Sequence, residues 1–272
     1  MALPVARRTV MCNISFDGLL DKSNEAALFI ELIKYILFEK NQMPEMFDQL
    51  KRSTRVRGKN ANPKISNKNE RQAFLLFSSC QKLFADITSA FQNLYDIKES
   101  IIVLGSSPTN PKEIYHIQFP TTVTSGLKPL SCKESKQSLF LQIFAQDPFH
   151  VGQKIALTNL HVLLLLPRCT KIQGFTAKPT YKVPGRSQHY YLKLTCKAKE
   201  DPEVSLVSQP KVTDIVLDIS GIVPLDIDDE NEEKCSQPIA NDKEFFKLVE
   251  EETEDDYIWF QANVNIKGYQ LG

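Results

Sequence analysis

The chain has 272 residues, 42% hydrophobic and 24% charged, which suits a soluble globular protein with one large core or two small ones. Its formal net charge of zero averages a basic run in residues 51–71 against an acidic run in 226–256, and such runs read as solvated loops. The six scattered cysteines exclude zinc-ribbon and redox spacings and read as free thiols in a reducing compartment, while nothing near residues 1–10 resembles a secretory signal and the apolar run 160–167 is too short to span a membrane.

In chain order, Val10, Cys12, Ile14 and Phe16 alternate with polar residues and predict a strand ended by Asp17-Gly18. Capping oxygens at Asp21, Ser23 and Asn24 then precede Leu28, Phe29, Leu32, Ile33, Ile36 and Leu37, the spacing of a buried helix that stops near Pro44. Residues 46–50 add a turn. The basic stretch 51–69 lacks hydrophobic periodicity and predicts a mobile loop; it also lacks the interleaved aromatics that nucleic-acid binding requires. A second long helix is predicted over 70–95, a hairpin from strands 100–104 and 113–119, and a third helix over 131–146 with Leu139, Phe140, Ile143 and Phe144 at helical spacing. Strands follow over 154–166, 172–175 and 190–196, with a proline-punctuated, exposed segment 178–186 before the last. Residues 201–255 read as an acidic, largely disordered insertion, after which Tyr257, Trp259 and Phe260 open a closing strand. Helices early and strands late predict an α+β fold with helices on one face of a largely antiparallel sheet.

No catalytic constellation emerges. His116, His150, His161 and His189 fall on separate elements without metal-ligand spacing, the glycine turn at Gly105 lacks the second glycine and lysine of a phosphate loop, and the acidic run is too mobile to preorganise an acid–base pair. Neither enzyme chemistry nor a cofactor is expected.

The segment Asp256-Tyr257-Ile258-Trp259-Phe260-Gln261-Ala262, with Lys267-Gly268-Tyr269, resembles the C-terminus of the comet family of mitotic-arrest-deficient-two-binding proteins. Three more blocks match in order: Glu31-Leu32-Ile33-Lys34 with Gln42-Met43-Pro44 and Asp48-Gln49-Leu50-Lys51; Pro111-Lys112-Glu113-Ile114-Tyr115; and Tyr181-Lys182-Val183-Pro184. The resemblance implies a HORMA-like domain of three helices on a β-sheet, formed by residues 1–200 and completed by 256–272 around the insertion 201–255. It implies a non-enzymatic adaptor that binds the closed conformer of the spindle-checkpoint HORMA protein, blocks its templating surface and presents it to a AAA+ remodelling ATPase, so silencing the checkpoint. It implies action in nucleus and cytoplasm and at the spindle or kinetochore, with neither nucleic acid nor membrane as partner. Carried onto this chain, the HORMA-protein face takes Phe140 as its aromatic anchor, Ile143 beside it and Glu39 at the end of the first helix, where the family has glutamine. Lys178 takes the ATPase-facing basic position, next to Ala177 where the family has proline. The competing reading is a HORMA-type module that captures a peptide beneath a C-terminal safety belt; an already occupied sheet edge would argue against it. Trp259 is then expected as a core residue.

Overall fold

A computed structural model describes residues 9–58, 68–93, 97–120, 127–149, 155–197 and 256–270. They form, in order, β1 (Val10–Phe16), α1 (Lys22–Glu39), α2 (Phe47–Gly58), α3 (Lys68–Asn93), β2 (Glu99–Ser107), β3 (Asn110–Gln118), α4 (Cys132–Gln146), β4 (Asn159–Pro167), β5 (Phe175–Lys178), β6 (Gln188–Cys196), β7 (Tyr257–Ala262) and β8 (Ile266–Lys267). The strands make one sheet in the order β1-β6-β3-β2-β4-β7-β5, with β8 also paired to β4. Pairing is antiparallel throughout β3-β2-β4-β7-β5 and parallel where β6 joins β1 and β3. The chain is therefore a mixed α+β protein with a mostly antiparallel sheet, as expected.

Local chemistry explains the element ends. Asp21 caps α1 by accepting the Asn24 amide at 2.6 Å, and Ser131 and Glu134 close a reciprocal capping box on α4. Asp147 ends α4 in the left-handed region, at φ 39°.

The side chains of each strand alternate between two unequal cores. Ile102, Leu104, Val162, Leu164, Ile258 and Phe260 face the helices and join Leu28, Phe29, Leu32, Ile87, Phe91 and Leu139 in the main core. The other face carries a smaller cluster of Ile101, Val103, Ile114, Leu163 and Trp259, covered by Tyr181 and Val183 instead of a helix. Trp259 is thus a core residue, and the 178–186 segment is a strap whose Tyr181 ring meets the Trp259 ring edge-on at 6.1 Å.

Two expectations change. Among the described residues there are four helices, not three, because 51–58 continues α2 where a mobile loop is expected. Phe47 and Leu50 hold that helix down: Phe47 stacks on Phe77 with ring centres 5.5 Å apart, and Leu50 is fully buried. The expected strand 172–175 lies slightly later, at Phe175–Lys178, where it pairs with β7. The insertion 201–255 and the rest of the basic stretch, 59–67, lie outside the described residues, as does His150.

Candidate partner-binding site

The first long helix buries one side so completely that its remaining surface is narrow, and the last turn of α1 carries most of it. Leu32, Ile33, Ile36 and Leu37 point inward, leaving Tyr35 half-buried and Phe38 and Glu39 exposed. The fourth helix lies alongside. Leu139 and Ile143, four residues apart, take its core-facing side, so Phe140 and Phe144, also four apart, share the side that meets α1.

These residues assemble around Tyr35. Its ring lies 5.6 Å from Phe140 and 5.9 Å from Phe144, both edge-on, and Phe140 and Phe144 are themselves 5.9 Å apart. Phe144 is 61% exposed and Leu141, one turn before it, 62%, an apolar surface for a soluble partner to cover. Burial raises the Tyr35 hydroxyl to about 12, helped by the negative charges of Glu39 and Asp147, so the patch is apolar with an acidic margin. Glu31 binds Lys136 of α4 and Lys34 of its own helix, each at 2.9 Å, and the Lys136 bridge ties the two helices together.

Beneath the patch the packing continues inward. Phe149 sits 5.7 Å from Tyr35 and 5.5 Å from both Tyr115 and Tyr190. There Lys40, the residue that caps α1, forms a buried ion pair with Glu113 at 3.3 Å. The Tyr115 hydroxyl donates to the same carboxylate, as does that of Tyr190 at 3.3 Å, and burial followed by the Glu113 charge pushes both phenols above their usual range. Three donors on one carboxylate make an internal charge tolerable.

Of the residues expected at the HORMA-protein face, Phe140 and Glu39 stand at the patch. Ile143 does not: it is 1% exposed within the main core, because it follows Leu139 by one helical turn on the side turned to the sheet. Its exposed neighbour is Phe144. Tyr35 and Phe38, which helical spacing reads as widening the buried stripe of α1, are half-buried and exposed instead, because α1 carries more aromatics than its buried side needs.

Lys178 lies elsewhere. It is exposed at the end of β5, the outermost strand, opposite Trp259 in register, beside a groove of about 560 Å³ lined by Tyr181, Lys182, Pro184 and Pro108. α4 packs against β1, so the two surfaces stand at opposite ends of the sheet. The register also joins two histidines thought separate: His116 Nε2 is 3.0 Å from His189 Nδ1, and His116 Nδ1 is 2.5 Å from Glu99. No group of three or more His, Cys, Asp or Glu side chains is placed to hold a metal ion among the described residues.

The family model for p31comet, described as "Mad1 and Cdc20-bound-Mad2 binding", matches residues 2–208. The chain belongs to the p31comet family. It is 24% identical over 270 residues to the mouse MAD2L1-binding protein, covering 94% of this chain and 78% of that one. It is 26% identical over 199 residues to the human MAD2L1-binding protein, covering 70% and 72%. The p31comet family is a family of spindle-checkpoint binding proteins rather than enzymes, and the match takes in α1, α4 and the strap.

Proposed function

We propose that this p31comet-family chain is a non-enzymatic adaptor with a HORMA-like fold, which binds the closed, Cdc20- or Mad1-bound conformer of Mad2 through the Tyr35–Phe140–Phe144 patch. By covering the surface on which another Mad2 copy would dock, it blocks templating and silences the spindle assembly checkpoint. A AAA+ remodelling ATPase engages it through the β5 edge at Lys178 and receives the bound Mad2. It acts in nucleus and cytoplasm and at the spindle or kinetochore. The observation that carries this reading is the separation of the two surfaces: with α4 beside β1 and Lys178 on β5, one partner leaves the other's surface free.

Peptide capture under a C-terminal belt is disfavoured, because β7 already fills the position between β4 and β5 and an incoming strand would have to displace it. The test is a pull-down with Mad2 bound to Cdc20 and with unliganded open Mad2, each with and without the ATPase and ATP. Retention of the Cdc20-bound form alone, and its release on adding ATPase and ATP, is the expected result; equal retention of both forms, or of neither, overturns the reading.

A further inference from the structure

Gln42, the first residue of the Gln42-Met43-Pro44 block, has no part in the surfaces above, yet it is 1% exposed and bonded to three separate segments. Its backbone amide donates to Leu37 O at 2.8 Å and its side-chain Nε2 to Lys40 O at 2.8 Å, both within the end of α1. Its Oε1 accepts the Thr158 amide at 2.8 Å, just before β4. Its carbonyl accepts the Tyr269 amide at 2.9 Å, and the Gln270 side chain donates to Asn41 O at 2.7 Å. Gly268 completes the junction by donating to Thr158 O at 2.8 Å.

The two side-chain contacts, to Thr158 N and Lys40 O, need an amide. Thr158 N only donates and Lys40 O only accepts, so the side chain must offer one acceptor and one donor, which glutamine does and neither glutamate nor an apolar residue does. Gly268 is required as well: a Cβ there would collide with Gln42 Oε1 and lie 2.8 Å from Thr158 O. The junction is therefore specified from both sides. On its α1 side the next residues are Lys40, whose Nζ reaches Phe149 O at 3.5 Å, and Glu39; Phe149 in turn supports Tyr35.

We propose that Gln42 is a positioning residue for the α1–α4 patch, locking the end of α1 to residues 268–270 so that the patch and the segment after β8 hold or loosen together. The functional half of this rests on the Mad2-binding reading; the structural half does not. It deepens that reading by making the far end of the fold part of what keeps Tyr35, Phe38 and Glu39 in place.

The experiment compares Gln42→Met, Gly268→Ala and, as a control in the core on the other face of the sheet, Val103→Ala, each in the full chain. Amide hydrogen exchange is measured without partner, and affinity for Cdc20-bound Mad2 separately, below the melting temperature of all three. Gly268→Ala is expected to speed exchange at Lys40 and Gln42, and Gln42→Met at Thr158, whose amide loses its acceptor, and at Gly268, which is bonded to Thr158 O, while both weaken Mad2 binding by about tenfold, a usual size for coupled sites. Val103→Ala should lower the melting temperature and leave both readouts at wild-type values. If Gly268→Ala leaves α1-end exchange unchanged, or if Val103→Ala weakens binding as much as Gln42→Met, the coupling is refuted. Wild-type chain that shows coupled exchange but no Mad2 binding would overturn the proposed function and leave the junction standing.

Discussion

Phe140 and Ile143 are three residues apart on one helix, yet truncating them should fail in different assays. Phe140→Ala removes an aromatic of the proposed Mad2 face and is expected to weaken Mad2 binding by about 2 kcal/mol while lowering the melting temperature less than Ile143→Ala does, by titration calorimetry and thermal denaturation respectively. Ile143→Ala empties a core position and should cost about 2–5 kcal/mol of stability. Helical spacing in the sequence places both residues on one element but does not say how wide its buried stripe is, which is why it does not separate buried Ile143 from exposed Phe144. The Lys40–Glu113 pair was equally hidden, since its members meet only when α1 packs against β3. Lys40→Met alone strands a buried carboxylate and should lose about 3–5 kcal/mol, measured by denaturant unfolding; adding Glu113→Leu should recover part of that loss.

Between elements, the α1–α4 bridge is titratable. Burial pushes the Glu31 carboxyl up, but the ammonium groups of Lys136 and Lys34 outweigh it and leave its pKa below the ordinary 4.5. A depressed folded pKa means stability that is present above 4.5 and lost as pH falls through the lower folded value. The melting-temperature gap between wild type and Lys136→Met should therefore be open at neutral pH and close on acidification. α4 performs a second task at the edge of the sheet. Gln142 accepts the Ser15 amide at 2.9 Å and donates to Ser15 O at 2.7 Å, and Gln146 donates to Asn13 O at 2.8 Å, so the outer edge of β1 is satisfied by side chains. Gln142→Leu leaves the Ser15 amide and carbonyl without their side-chain partner and should cost about 1–3 kcal/mol in unfolding experiments, with concentration-dependent self-association in sedimentation as the bared edge finds other chains. Strands and helices were largely legible from periodicity. Only the first turn of α2 was, because among its described side chains Phe47 and Leu50 hold a mostly polar, basic helix and two residues make no period.

At the scale of the molecule, the two proposed surfaces are far enough apart for their mutations to add. Lys178→Glu is expected to abolish ATPase engagement and leave Mad2 affinity unchanged, whereas Phe140→Ala should do the reverse, both read by surface-immobilised binding; a loss of Mad2 affinity in Lys178→Glu would contradict separate surfaces. The α+β class could be read from element order, but the parallel joining of β6 to β1 and β3 could not, because pairing between distant strands depends on the whole sheet. That topology imposes an order on synthesis. Among the described residues β5 pairs with β7 alone, so when Lys178 leaves the ribosome its strand waits for this partner until Tyr257–Ala262 has also emerged. On the proposed reading, a prematurely terminated chain lacks both the partner strand of β5 and the Gln42–Tyr269 junction, so the ATPase edge and the Mad2 patch are completed by the same last residues.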